Sequence, residues 1–158
     1  MSIEPLPSTG VSRMLALCEL LDDHGGREDV YRLAQDLHLP FTELLLAIKG
    51  AEMLGLVETP PGNVSLTELG RRAHQSALAD KKALLKQQML KLRVFQHVMK
   101  LIENSAQQQV PADVILEDLA VRLPQEQPRQ LLTTLLNWGR YGEVFGYSRD
   151  TDMFHLPG

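Results

Sequence analysis

The chain has 158 residues, 44% of them hydrophobic, enough for one compact domain or two small modules with shared packing, and too apolar for a disordered chain. Its net charge of −4 at pH 7 makes a polyanion partner depend on some local basic patch. No apolar run approaches the roughly 20 residues of a membrane-spanning helix, the N-terminus lacks the basic-then-apolar order of a secretory signal, and the lone Cys18 excludes an internal disulfide.

Charge is unevenly spread. Residues 1–79 carry six Lys/Arg against eleven Asp/Glu, and residues 80–158 carry ten against nine. The first half is therefore the poorer ligand for phosphate.

After a linker-like segment at residues 1–10, apolar residues at Val11, Met14, Leu15, Leu17, Cys18 and Leu21 have helical spacing, and Gly25 and Gly26 stop the helix. "REDVYRLAQDLHL" predicts a second helix with Glu28 and Asp29 in its first turn. A third is expected from Phe41 to Leu54, entered at Pro40 and closed by Gly55. "LVETPPGNVSL" reads as a hairpin turning at residues 60–63. Three helices and a hairpin in this order predict a winged helix-turn-helix at 11–79, with Thr67 capping one more helix. The third helix, in the place of a recognition helix, has Lys49 as its lone cation against Glu43 and Glu52. Major-groove readers need Arg, Lys, Asn or Gln at base edges. Any of Leu44, Leu45, Ile48, Ala51, Met53 and Leu54 left exposed would point to a protein partner instead.

Residues 80–104 predict one long central helix with an apolar arc wider than a single packing surface requires. Successive 100° steps place Lys82, Lys86, Arg93, His97 and Lys100 in one basic stripe. Residues 105–158 predict a second winged-helix-like module: a polar break at "SAQQQ", a helix with Pro111 near its start, a further helix, and a closing hairpin of Val144–Tyr147 and Met153–Leu156. The expected fold is thus mainly α with small β-hairpin wings, two winged-helix-like modules joined by a long central helix.

No phosphate loop, nucleophile elbow or H-E-x-x-H motif is present. The five histidines are never paired at helical spacing, so no catalytic, cofactor or metal site is expected. Candidate partner-binding residues are Lys82, Lys86, Arg93 and Lys100, which suit an acidic protein surface, and Trp138, Arg140, Tyr141 and Tyr147, types common in interface hot spots.

"LLDDHGGREDVYRLAQDL", "GAEMLGLVE", "VSLTELGRR" and "NWGRYGEVFGY", taken together, resemble the AAA-associated C-terminal domain, over nearly the whole chain from Val11 onward. That family follows the ATPase domain of some ABC-type importers of the nitrate, sulfonate and bicarbonate class. The resemblance implies a cytoplasmic, non-catalytic accessory or regulatory domain, reaching the membrane only through the transporter. It brings no catalytic or ligand residues with it. With no nucleotide-binding domain among these residues, the ATPase would be met in cis or in trans. A homodimer through spare apolar surface is compatible with this reading. The alternatives are a winged-helix DNA-binding regulator and a small-molecule sensor lodged between the modules.

Overall fold

The computed structural model describes residues 2–157 and is mainly helical, with two small antiparallel sheets. It divides into two compact units, Pro7–Leu84 and a second made of the segment up to Leu6 together with the chain from Leu85.

The first unit runs α1 (Val11–Asp23), β1 (Arg27–Asp29), α2 (Val30–Leu37), α3 (Phe41–Met53), β2 (Val57–Glu58), β3 (Asn63–Leu66) and α4 (Glu68–Gln75). The buried stripe of α1, formed by Val11, Met14, Leu17, Cys18 and Leu21, packs on α3, α4 and β3. The turn between α2 and α3 is set by His38, in the left-handed region at φ 53°, and by Pro40. At the end of α3, Gly55 (φ 75°) donates to the Glu52 carbonyl and Leu56 N–H to the Ala51 carbonyl. That paired closure satisfies two orphan carbonyls and needs a left-handed residue, which glycine supplies without a Cβ clash. Thr67 caps α4 by accepting from Gly70 N–H at 3.0 Å while its hydroxyl donates to the Gly55 carbonyl at 2.7 Å. One side chain therefore ties the end of α3 to the start of α4.

Arg27–Asp29 departs from expectation. These residues form an edge strand and not a first helical turn; Asp29 is the N-cap of α2, its Oδ1 accepting from Tyr31 N–H at 2.9 Å. Pairing of β1 with β3 decides this, with Arg27 opposite Ser65 and Asp29 opposite Asn63. A three-residue strand offers too few positions to show alternation.

α5 (Leu78–Met89) carries the chain across the border between the units. The second unit continues with α6 (Arg93–Glu103), a 3₁₀ turn at Ala106–Gln108, β4 (Gln109–Pro111), α7 (Ala112–Arg122), α8 (Pro128–Tyr141), β5 (Gly146–Ser148) and β6 (Met153–His155). Its core is aromatic. Phe95 stacks on Trp138 and on Phe145 at 6.3 Å between centroids, and Phe145 meets Phe154 at 5.1 Å. The Phe145 ring lies directly against the backbone of α8 at Gly139, where a Cβ would come within 2.2 Å of the ring.

The expected long helix over 80–104 is broken. α5 ends at Met89, and Leu92, extended at φ −85°, ψ 135°, precedes the first turn of α6. Both new ends are satisfied. Glu4 accepts from Arg93 N–H and Val94 N–H at 2.9 Å each, and the Gln96 side-chain amide donates to the Leu90 carbonyl at 2.7 Å. Burial, the largest single influence on the Glu4 carboxyl, pushes its pKa up, but the backbone N–H donors together outweigh it and leave it below the usual value. With Ile3 and Leu6 buried, the first residues belong to the second unit and are not a free linker. The wide apolar arc is thereby shared between two helices.

The same order recurs in both units: helix, edge strand, two helices, then a hairpin. The sheet orders agree, β1-β3-β2 and β4-β6-β5, so in each the early strand pairs with the last. The halves share topology with little direct sequence repetition.

Candidate partner-binding surface

The break distributes the basic stripe over two helices. Lys82 and Lys86 lie on α5 and are half-buried; Arg93 and Lys100, at i and i+7 on α6, are exposed. The single helical register that would align all five residues is lost. The α6 residues keep a common face with Gln96 and His97, and Asp118 Oδ2 lies 2.6 Å from His97 Nε2 and its Oδ1 accepts from Arg122 at 3.2 Å.

Of the aromatic candidates, Trp138 is fully buried, stacked on Phe95, and cannot meet a partner in this conformation. Its place in the hydrophobic core follows from its size and its position on the inner face of α8 beside Leu131 and Leu135. Arg140 is exposed, Tyr141 and Tyr147 half-buried. Arg140 and Tyr147 line a hollow of about 250 Å³ with Glu143, Gly146 and His155. The Tyr147 hydroxyl donates to Asp152, a bond that raises the phenol's pKa, with burial adding to it.

A different surface emerges in the first unit. Tyr31 of α2 is 70% exposed, and Phe41 and Leu45 of α3 are 39% and 45% exposed. The Tyr31 and Phe41 rings stack at 5.1 Å and 10° between planes, and Leu45 stands one helical turn beyond Phe41. Phe41 and Leu45 lie off the line of Leu44, Ala47, Ile48, Ala51 and Leu54 that faces the core. Taking 100° per residue, the apolar residues of α3 from Leu54 through Ala47, Ala51, Leu44, Ile48 and Phe41 to Leu45 span about 180°, and the edge held by Phe41 and Leu45 is left over. That width was the available signal; which edge stays outside is set by how α3 seats on α1. Arg13 and Glu43 pair at 3.2 Å, and Arg32 is exposed on α2.

His24, Glu28 and Asp36 also gather, their ligand-type atoms within 4.8 Å of one another. Glu28 sits 2.7 Å from Nδ1 and Asp36 3.9 Å from Nε2.

Residues 31–148 match the family model of the C-terminal AAA-associated domain, three quarters of the chain. The chain belongs to that family. Membership makes this AAA-associated domain an accessory domain linked to an ATPase, in agreement with the resemblance carried by the four sequence blocks. No curated protein and no solved structure matches the chain. Among the described residues of the domain, no helix is long and apolar enough to cross a membrane.

Proposed function

We propose that the chain is a non-catalytic regulatory module of the ATPase of an ABC-type importer of the nitrate, sulfonate and bicarbonate class, working in the cytoplasm by protein–protein contact, in cis or in trans. Each unit serves as a winged-helix-like module. The repeated order of helix, strand, two helices and hairpin, with the early strand beside the last, supports that description. The observation that carries the partner class is the outward face of Tyr31, Phe41 and Leu45, where a DNA reader would place cations. Lys49 is the one Lys or Arg on α3, so this face has little to offer a phosphate backbone. Exposed aromatic and aliphatic side chains are the material of protein hot spots.

Regulation then needs a difference in contact free energy between the open and closed forms of the ATPase, because a partner that binds both equally shifts neither. The test is binding of the chain to a purified importer ATPase domain, with hydrolysis rate followed in parallel. Phe41→Ala combined with Leu45→Ser is expected to weaken binding about tenfold or more, the loss of roughly 1.4 kcal/mol expected for hot-spot truncation, and to abolish any change in hydrolysis. Tight binding to duplex DNA that falls steeply with salt would overturn the reading in favour of a transcriptional regulator.

A further inference from the structure

A second, chemically distinct site lies in the other unit. Ile3, Arg93, Gln96, His97, Lys100 and Arg122 line one hollow of about 210 Å³. A hollow of that size admits a tetrahedral oxyanion. Arg93, Gln96, His97 and Lys100 come from one face of α6, and Arg122 reaches in from the last turn of α7. Three cations thus converge from two helices on a concave surface, in a protein whose overall charge is negative.

The nearby carboxylates offset this charge only in part. Asp118 is committed to His97 at 2.6 Å and to Arg122 at 3.2 Å, which holds both side chains in place. Glu4 is committed to the two N–H groups that open α6. Among the described residues Arg93 and Lys100 make no ion pair within 4.0 Å, whereas Arg13 and Arg71 of the first unit both do. Arg93 and Lys100, which no described carboxylate pairs within 4.0 Å, repel one another, and an anion between them turns that repulsion into attraction. Gln96 adds a neutral amide donor, and the guanidinium groups supply the forked N–H geometry that suits a carboxylate, sulfate or phosphate.

We propose that this hollow is an oxyanion-binding site, with Arg93 and Lys100 as the principal charges, Arg122 as a donor oriented by Asp118, and Gln96 completing the lining. The oxyanion is a free inorganic ion or the carboxylate of an acidic side chain presented by another protein. The assignment is independent of the partner given to the Tyr31–Phe41–Leu45 face.

The experiment is an amide chemical-shift titration of the full chain with sodium sulfate and sodium phosphate, against chloride at matched ionic strength. A parallel titration uses a hexaglutamate peptide. Wild type is compared with Arg93→Gln/Lys100→Gln and with Lys49→Gln/Lys91→Gln, which removes two charges elsewhere; unchanged circular dichroism melts confirm that all three fold. Saturable shifts centred on Gln96, Lys100 and Arg122 are expected, weakened about tenfold or more in the pocket variant and less than about twofold in the control, since charge-assisted bonds carry the affinity. Saturation by sulfate or phosphate identifies a free ion as ligand; saturation by the peptide alone identifies an acidic protein segment. Linear shifts with every probe, or equal weakening in both variants, would overturn the assignment.

Discussion

Glu4 reaches across 89 residues of sequence to cap α6, and removing it should unlock the first turn of that helix. Its two oxygens accept from Arg93 N–H and Val94 N–H, two of the four donors that a helix start leaves without intrahelical partners. Loss of a capping side chain costs about 0.5–2 kcal/mol, and a negative charge at this end adds about 0.3–1 kcal/mol where it is partly exposed, as here. Glu4→Ala should therefore destabilise the second unit by about 1–2 kcal/mol, and Glu4→Gln, which keeps an acceptor but not the charge, by about half as much. Native-state amide exchange reads this locally: protection at Arg93 and Val94 should fall by about 5–30-fold in the alanine variant. The pH dependence has a definite sign. The folded carboxyl has a lowered pKa, so its contribution is fully present above the unfolded value near 4.5 and is lost as pH falls through the folded value. Wild type and Glu4→Ala should therefore converge in acid. Unchanged protection at those two amides, or a difference that does not shrink as pH falls below the ordinary carboxyl value, would refute the capping argument.

Three further outcomes are expected. Cys18 is fully buried in α1 and burial pushes its thiol up to about 12, so a thiol reagent should leave the native chain unmodified and label one equivalent on unfolding. Gly139→Ala places a methyl 2.2 Å from the Phe145 ring, and denaturant titration should show a loss of about 1–3 kcal/mol from overpacking, against the helix preference for alanine; stabilisation would show that the ring moves aside freely. Asp22 joins α1 to α4 through His74 at 2.7 Å, Gln75 at 2.9 Å and Arg71 at 3.2 Å, and the His74 bond leads in holding its carboxyl below the ordinary value. Its stabilisation is present above that ordinary value and lost as pH falls through the lowered one, so melting temperatures of Asp22→Asn should vary less with pH in the acid range than those of wild type.

The amino-acid sequence by itself determined the features whose causes are local. Gly55 ends α3, Thr67 caps α4, and the hairpins fall where "TPPGN" and "SRDT" allow turns, because helix stops, caps and turns are decided within a few residues. The family was likewise legible from four short blocks in order. Only the tertiary structure decided the rest. β1 and β4 exist as strands because β3 and β6 offer them unpaired backbone groups, and neither has an apolar alternation of its own to announce it. The helix expected over 80–104 breaks at Leu92 because a carboxylate from the other end of the chain supplies the hydrogen bonds that continuing the helix would have made. That Phe41 and Leu45 stay outside while Trp138 is sealed within depends on how each helix seats on its neighbours. Periodicity marks which residues are apolar; long-range packing chooses which of them meet water, and so which surface is left for a partner.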